Sequence, residues 1–419
     1  MASPPRIHHL TELGRALRHR NYRLFFAGQL VSLIGTWMQT AAQAWLVYRL
    51  SGSAELLGLV AFTSQAPVFF LAQLGGAFAD RHDRHRILVL TQIASLVLAS
   101  ALAALTLLGV IRSWEIFALA GLLGVVNAFD IPTRQAYVVE MVGRQDLQNA
   151  IALNSSMFNA ARLIGPAVAG IMVAAIGEGW CFFANAVSYL AVIAGLLAMR
   201  RTRPQRPAAQ EGVLAQLRQG LSYALGTMPI RNILLLIGLM SLMGMPYTVL
   251  MPIIADRLLG GGPEHLGALM SASGAGALLA ALMLASHTGL AGIGLRIARA
   301  VILFGVALIA FAWSPWFWLS MTLLALVGFC QMTHMASSNT LIQSIVPDAY
   351  RGRVMALYSM MFMGMSPFGA LLSGYLADRI GAPATITAGG LACSAGGLLF
   401  AYYLPGLRDQ ARQLIAKDS

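Results

Sequence analysis

The chain has 419 residues, of which 58% are hydrophobic and only 11% are charged, and its mean hydropathy is +0.70. A water-soluble domain of this length carries far more charge on its surface, so the composition excludes a soluble protein and indicates a membrane protein. The formal net charge of +12 comes from 28 basic and 16 acidic residues. The basic residues lie in loops and form no stripe with interleaved aromatic residues, which argues against a nucleic-acid partner.

Apolar runs predict twelve transmembrane helices. A helix needs roughly 20 residues to cross a bilayer, and the runs are close to this length or longer. In the first half of the chain they cover 23–48, 54–79, 87–111, 115–137, 147–175 and 180–199. In the second half they cover 232–255, 266–285, 298–313, 316–343, 354–377 and 385–404. The predicted fold class is therefore an all-α polytopic membrane protein.

The middle of the chain separates two sets of six helices. Residues 200–207 are basic and punctuated by proline, which is typical of a linker, and residues 212–227 form an amphipathic segment expected on the membrane surface. We therefore expect an N-terminal six-helix bundle at 1–199, a cytoplasmic linker at 200–230 and a C-terminal six-helix bundle at 231–419.

An internal repeat relates the two halves. Residues 142–177 align without a gap on 346–381 at an offset of 204, with ten of 36 positions identical. Six plus six helices in parallel repeats predict two pseudo-symmetric bundles with a binding site between them near the middle of the membrane.

The distribution of basic residues predicts the orientation. Segments on the side of the N-terminus hold 22 basic residues, whereas the opposite loops hold four: Arg49, Arg112, Arg257 and Arg379. Because cytoplasmic loops carry the excess of Lys and Arg, both termini are expected in the cytoplasm. The first 20 residues lack the apolar core and cleavage site of a removable signal peptide. The Arg-rich, Lys-poor usage favours a bacterial source and hence the inner membrane.

A gating motif is expected where the second predicted helix ends. Gly76 precedes Asp80, Arg81 and Arg84 there, and a glycine one turn before an acid allows a neighbouring helix to approach. This loop resembles the G-x-L-A-D-R-x-G-R-R signature of the major facilitator superfamily, although Asp83 stands where the second glycine is usual and His85 where a basic residue is. The resemblance implies that Asp80 and Arg81 hold the cytoplasmic side shut. Alternatively, the basic residues only fix the topology. A similar string at 374–381 lies on the predicted external side, and we interpret it as coincidence.

Further strings throughout the chain resemble the enterobactin-exporter-like branch of this superfamily, the transmembrane secretion effectors. They comprise Asn21–Phe26 with Gly28-Gln29, Gly35–Gln39, Trp45–Tyr48, Pro132–Ala136, Leu147–Ala150 with Asn154-Ser155, Arg162–Pro166, and Pro347-Asp348 with Arg351–Val354. The resemblance implies export of siderophores, macrolides or other amphipathic small molecules, usually by proton antiport. Gly165-Pro166 also resembles the superfamily's antiporter signature and is expected to form a kinked, tightly packed seam, although ordinary helix packing is the alternative.

Charged residues at membrane depth are costly, which makes them candidates for proton coupling. Asp130 and Arg134 are one helical turn apart in the fourth predicted helix, and Arg162 lies in the fifth. Asp130 is the expected proton carrier, although a static ion pair of Asp130 with either arginine is almost as well supported. The offset of 204 places His334 opposite Asp130, where its imidazole could share the proton or hold a structural hydrogen bond.

Polar residues in the predicted helices are expected to line the substrate cavity: Gln39, Gln43, Asn127, Asn159 and Tyr247. The three cysteines lack metal-ligand spacing, and the chain has no phosphate-binding loop or nucleophile elbow. We therefore expect no metal, no cofactor and no enzymatic activity.

The leading hypothesis is a proton-coupled exporter embedded in the lipid bilayer that alternates access to a small-molecule substrate. A facilitator or importer of the same fold, with a structural Asp130, is the first alternative. A non-transporting scaffold or receptor is the second. A monomer suffices for this scheme, and the sequence leaves the oligomeric state open.

Overall fold

The computed structural model describes residues 14–200, 213–285 and 292–418, and these residues form helices and short connections without any strand. A 3₁₀ turn at Arg15–Arg18 precedes the first helix. The first seven helices are α1 (Arg20–Ser51), α2 (Ala54–Arg81), α3 (Arg84–Leu107), α4 (Ser113–Val142), α5 (Leu147–Ile176), α6 (Glu178–Leu197) and α7 (Val213–Gly226). The others are α8 (Met228–Leu239), α9 (Tyr247–Ile253), α10 (Pro263–Ala285), α11 (Ile293–Ala312), α12 (Phe317–Ile345), α13 (Asp348–Ile380) and α14 (Ala382–Asp418).

The predicted all-α polytopic fold is confirmed. Within the described part of the chain, 11 helical segments are long and apolar enough to cross a membrane. Helix α1 has 32 residues, which at 1.5 Å per residue gives about 48 Å, and with this more polar helix the number of spans reaches the predicted twelve. Residues 201–207 of the predicted linker lie outside the described residues. The amphipathic segment does form a helix, α7, whose place on the membrane surface stays a prediction.

One predicted helix is irregular. The sequence predicts a single helix over 232–255, whereas this span runs from Met228 to Leu258 and contains α8, α9 and two π-helical segments, Met240–Gly244 and Ile254–Leu258. Pro246 lies at the first break and Pro252 inside α9. Because proline has no N–H to donate, the helical hydrogen-bond pattern is interrupted there and resumes with wider turns.

Contacts between residues divide the chain into two compact units. Unit 1 comprises Met1–Leu46 and Thr63–Ala208, and unit 2 comprises Val47–Phe62 and Ala209–Ser419. Residues Val47–Phe62, the hairpin between α1 and α2, therefore pack with the second half of the chain. We call this segment the α1–α2 hairpin. The domain boundaries inferred from sequence stay a prediction.

Pairs of glycines 204 residues apart form equivalent helix crossings in the two units. In unit 1, a Cβ atom on Gly124 of α4 would lie 2.5 Å from the carbonyl oxygen of Ser64 in α2. In unit 2, a Cβ on Gly328 of α12 would lie 1.9 Å from the carbonyl oxygen of Ser273 in α10. Such distances are shorter than any contact a real side chain makes, so only glycine permits the helices to come this close.

A second glycine pair extends this pseudo-symmetry. A Cβ on Gly165 of α5 would meet the carbonyl oxygen of Ile34 in α1 at 2.8 Å, and one on Gly369 of α13 would meet that of Leu242 at 2.2 Å. Each glycine thus brings the fifth helix of its half against the first helix of the same half. The repeat inferred from 142–177 and 346–381 is therefore present in the packing as well as in the sequence.

The start of α5 anchors the N-terminal segment. The Tyr22 hydroxyl donates to the carbonyl oxygen of Ala150 at 3.0 Å and to Asn154, and it is fully buried. His19 Nε2 forms a hydrogen bond with Asp146 Oδ2 at 2.8 Å. That hydrogen bond lowers the pKa of Asp146, which lies in the loop before α5, below its ordinary value.

Candidate transport and gating sites

Asp130 of α4 is the centre of a buried hydrogen-bond network in unit 1. Its side chain is only 3% exposed. Oδ1 accepts hydrogen bonds from Thr91 Oγ1 at 2.8 Å and Gln92 Nε2 at 3.0 Å, and Oδ2 accepts from Arg134 Nη2 at 2.5 Å. The i, i+4 spacing on α4 brings Asp130 and Arg134 together, and packing of α3 on α4 supplies the other two donors. Three donors from two helices therefore hold this one carboxylate.

Arg162 of α5 contacts an aromatic residue of α1. Its guanidinium lies over the Trp37 ring of α1, 6.0 Å from the ring centroid, and Trp37 also contacts Phe158 edge to face. One turn further along α5, Gly165 packs closely on α1, and both Gly165 and Pro166 are buried. This part of α5 therefore forms the expected tight seam with α1, and ordinary packing suffices to explain it.

The polar residues expected to line a cavity differ in their partners. Gln39 is buried and its Oε1 accepts from Asn185 Nδ2 of α6 at 2.7 Å. Asn159 is buried and donates to the carbonyl oxygen of Ser155 in its own helix at 2.8 Å. Gln43 and Asn127 are half-buried, and neither has a hydrogen bond among the described residues. Gln43 and Asn127 thus retain unused hydrogen-bonding capacity for a ligand.

His334 of α12 is buried in unit 2. Its Nδ1 lies 3.3 Å from the Ser338 hydroxyl, while its Nε2 has no hydrogen-bond partner in the described part of the chain. Tyr247 is 2% exposed, and its hydroxyl lies 3.0 Å from that of Ser273. The tyrosine therefore belongs to the packed interior of unit 2, whereas His334 keeps one ring nitrogen available.

An ion network of three residues joins the end of α2, the start of α3 and the end of α4. Arg84 is the central residue: its Nη2 lies 2.8 Å from Asp80 Oδ1 and its Nη1 lies 2.6 Å from Glu140 Oε1 of α4. The resemblance implies a gate that involves Asp80 and Arg81; in the structure Asp80 pairs with Arg84, four residues along the chain, and Arg81 is exposed. Asp83 accepts from the backbone N–H groups of His85 and Arg86, so it caps α3 at the position where the signature has glycine.

Glycine contacts in the same motif also differ from expectation. A Cβ on Gly76 would meet only Pro132, at an ordinary 3.8 Å, whereas one on Gly75 would lie 2.2 Å from the carbonyl oxygen of Ala128. The close approach of α2 and α4 therefore occurs at Gly75, one position before the signature glycine.

Asp378, at the end of α13, holds the α1–α2 hairpin. It accepts hydrogen bonds from the Ser53 hydroxyl at 2.7 Å and from the backbone N–H groups of Ala54 and Glu55 at 2.8 and 3.0 Å. These are the free donors at the N-terminus of α2, so a residue more than 320 positions away caps this helix. We call this arrangement the Asp378 clasp.

Neighbouring contacts in unit 2 reinforce the clasp. A Cβ on Gly58 of α2 would lie 3.1 Å from Gly374 Cα, so these two helices touch through backbone atoms. On the other arm of the hairpin, the Tyr48 hydroxyl donates to Asp256 at 2.5 Å, and Arg257 Nη2 donates to the carbonyl oxygen of Gly52 at 3.1 Å. Both arms of the hairpin are therefore bound to the second half of the chain.

Comparison with known families identifies the chain. The family model described as Transmembrane secretion effector matches residues 14–417. The chain belongs to this family. It is accordingly a multi-pass membrane transporter of the major facilitator superfamily and not an enzyme, as the sequence strings in both halves predict.

Curated relatives match this secretion effector over nearly their whole lengths. It is 28% identical over 396 residues to the multidrug efflux pump Tap of Mycolicibacterium fortuitum, covering 92% of this chain and 96% of the relative. It is 26% identical over 370 residues to the staphyloferrin A transporter of Staphylococcus aureus, covering 88% and 92%. It is 25% identical over 424 residues to the enterobactin exporter EntS of Shigella boydii, covering 98% and 99%.

Solved structures show the same fold at low sequence identity. A bacterial homologue of the human lysosomal transporter Spinster superposes with a TM-score of 0.68 at 13% identity, covering 100% of this chain and 99% of that one. The POT family transporter PepTSo superposes with a TM-score of 0.73 at 12% identity, covering 94% and 99%. These likenesses concern the fold alone.

Sequence reasoning missed several contact residues of this secretion effector. Gln92 and Asn185 are ordinary polar residues of apolar helices, and Glu140 lies near a helix end, so none has a local signal. Asp378 did have one, the Gly-x-x-x-Asp-Arg string, which resembles the loop after α2. The charge distribution predicts the external side for this string. The Asp378 carboxylate nevertheless accepts hydrogen bonds at a helix end there.

Proposed function

We propose that this transporter exports amphipathic small molecules of the siderophore, macrolide or drug-like class by alternating access coupled to proton antiport. The relatives named as an enterobactin exporter and as multidrug efflux pumps support both the direction and the substrate class. The same proposal places the chain in the bacterial inner membrane with both termini in the cytoplasm, as the distribution of basic residues predicts.

The buried network around Asp130 is the observation that supports proton coupling. An ionised carboxylate accepts hydrogen bonds with both oxygens, but a protonated one turns one oxygen into a donor. Arg134 can only donate, so a proton on Oδ2 weakens its bond to Asp130 by removing the negative charge and one acceptor position. Protonation of Asp130 therefore favours release of Arg134, and the freed guanidinium is then available to a substrate anion or to another state of the transporter.

Further residues extend the proposed pathway. Arg162 lies on the α5–α1 seam, and His334 in unit 2 has a free ring nitrogen suited to a proton or a substrate hydrogen bond. Gln43 and Asn127 have unused hydrogen-bonding groups and are the preferred substrate contacts, ahead of Gln39, Asn159 and Tyr247, each of which already has one hydrogen-bond partner.

The ion network at Arg84 and the Asp378 clasp would serve as two gates, one at each end of α2. Asp80, Arg84 and Glu140 form one network at the α2–α3 loop, and the Asp378 clasp binds the α1–α2 hairpin at the other end of α2. If residues 1–199 move against residues 231–419, the clasp must open whenever the α1–α2 hairpin leaves α13. Arg81, Gly76, Gly165 and Pro166 are kept as gating candidates on the resemblance to the superfamily motifs.

A facilitator or importer is the second candidate. The observation that favours it is the same network: Asp130 and Arg134 are on one helix, and three donors hold the carboxylate. A pair this well satisfied stabilises unit 1 without any change of protonation.

Proton flux in liposomes separates the two candidates. The purified protein is reconstituted, a pH gradient is imposed, and lumenal pH is followed while enterobactin or a macrolide is added, together with the flux of the compound. Asp130→Asn keeps the size and hydrogen-bonding capacity of the side chain but cannot be ionised. Asp348→Asn is the matched control, because Asp348 is an exposed acid paired with Arg351 at the start of α13.

We expect compound-dependent proton movement in the wild-type protein and in Asp348→Asn, and a loss of at least about 10-fold in Asp130→Asn. Compound flux without proton movement in the wild-type protein supports the facilitator. Normal coupling in Asp130→Asn refutes the role given to Asp130, even if export itself is observed.

A further inference from the structure

Unit 2 contains a cavity of about 380 Å³ between α11 and α12 that has no part in the proposed transport pathway. Arg296 and Arg299 of α11 line it, together with Gly292 at the start of that helix and Thr333 of α12. No carboxylate is among the described residues that line this cavity. Its chemistry is therefore that of an anion site.

The rim of the cavity is apolar and exposed. Leu295 and Leu303 of α11 line the cavity and are 41% and 49% exposed. With Arg299 they are spaced four residues apart and share one face of the helix. An exposed leucine stripe on a membrane-spanning helix is the surface expected toward lipid acyl chains.

Arg296 and Arg299 have no ion partner among the described side chains. Neither guanidinium has a hydrogen bond or ion pair with any side chain that the structure describes, a set that excludes those of residues 407–418. Arg299 lies six residues after the start of α11, about 9 Å along the helix axis, and is exposed. A guanidinium at this depth is costly unless it reaches an anion, and the headgroup phosphates are the anions within its reach.

The N-terminus of α11 adds to the positive potential. Gly292 has a φ of 72°, and no side chain caps the helix. The first backbone N–H groups of α11 thus carry the positive end of the helix dipole on the same side as the two arginines. This feature reinforces the site that the cavity and the arginines define.

We propose that this cavity binds the headgroup phosphate of an anionic phospholipid, with the acyl chains lying on Leu295 and Leu303. The apolar rim favours a lipid over a soluble anion. A zwitterionic lipid fits less well, because its ammonium group finds no carboxylate in the lining and meets two guanidinium groups. Basic pockets between transmembrane helices near the cytoplasmic surface are suited to such headgroups, and the charge distribution predicts that surface here.

Native mass spectrometry of the full chain in detergent tests the proposal. Phosphatidylglycerol, phosphatidylethanolamine and inorganic phosphate are titrated separately, and the Kd of the first bound lipid is measured. The variants are the double substitution Arg296→Gln with Arg299→Gln, the charge-preserving Arg299→Lys, and Arg86→Gln. Arg86 is a control because it is an arginine in the first turn of α3, in unit 1, whose side chain is 71% exposed and does not line the cavity.

We expect wild-type protein to bind phosphatidylglycerol at least about 10-fold more tightly than phosphatidylethanolamine, and the double variant to lose this preference. Arg86→Gln should bind like the wild type, and Arg299→Lys should keep most of the preference. An unchanged affinity for phosphatidylethanolamine in the double variant shows that it is folded.

Three results would overturn the proposal. The first is equal affinity of the wild-type protein for the two lipids, and the second is an undiminished phosphatidylglycerol preference in the double variant. The third is displacement of the bound lipid by millimolar inorganic phosphate, which would make the cavity a site for soluble anions.

Discussion

Replacement of Asp378 by alanine removes the three hydrogen bonds that join the end of α13 to the start of α2. If the α1–α2 hairpin leaves α13 during transport, this change shifts the equilibrium of the clasp toward its open form. Asparagine at the same position keeps an acceptor oxygen of the same reach and loses only the charge.

The magnitude follows from the contacts. Loss of a helix N-cap costs about 1 kcal/mol, and loss of a negative charge at a helix N-terminus costs about 0.3–1 kcal/mol. The bond to the Ser53 hydroxyl adds about 0.5 kcal/mol, at the low end because Asp378 is exposed to solvent. The total is about 2 kcal/mol, or about 30-fold in the equilibrium, for Asp378→Ala, and about 0.5 kcal/mol, or about twofold, for Asp378→Asn.

A distance measurement on the clasp tests this. Spin labels are placed at Leu50 and Ile380, which are exposed at the ends of α1 and α13, after the three buried native cysteines have been replaced. Double electron–electron resonance then gives the populations of the short and long distances. Asp348→Ala, an exposed acid at the opposite end of α13, is the control.

We expect the long-distance population to increase strongly in Asp378→Ala, slightly in Asp378→Asn and not at all in Asp348→Ala. A distance distribution in Asp378→Ala that equals that of the wild type refutes the clasp. So does an equal effect of alanine and asparagine, because helix capping distinguishes the two and simple loss of charge does not.

Two further predictions concern stability. Gly328→Ala places a methyl group 1.9 Å from the carbonyl oxygen of Ser273 and should cost about 1–3 kcal/mol, lowering the midpoint of thermal unfolding in detergent. Gly352→Ala, where a Cβ meets nothing within 4 Å and alanine favours the helix, should leave the midpoint unchanged or raise it. The hydrogen bond between His19 and Asp146 lowers the pKa of Asp146 in the folded protein. The stability that this carboxylate contributes is therefore present above its unfolded pKa of about 3.9, and it is lost as the pH falls through the folded-state pKa. The unfolding midpoint of Asp146→Asn should therefore lie below that of the wild type at pH 6 and approach it as the pH falls through the folded pKa of Asp146, and a difference that persists in strong acid would show that ionisation of Asp146 is not its source.

Much of the fold could be predicted from local composition. Long apolar runs can satisfy their backbone hydrogen bonds in a membrane only as helices, so each predicted run corresponds to a helical span. The offset of 204 residues implied the pseudo-symmetry that the Gly124 and Gly328 crossings display. The Asp130–Arg134 pair was also predictable, because i, i+4 spacing on one helix determines it without reference to any other element.

Tertiary packing decided the remaining partners. Gln92 bonds Asp130, Glu140 bonds Arg84, and Asp378 caps a helix that begins 324 positions earlier in the chain. The close approach at Gly75 rather than Gly76 depends on the rotation of α2 against α4, which a shared motif leaves undetermined. These pairings depend on which helix faces meet. In a bilayer, apolar helices associate through close packing and polar contacts that residues distant in sequence supply, so local sequence carries no record of them.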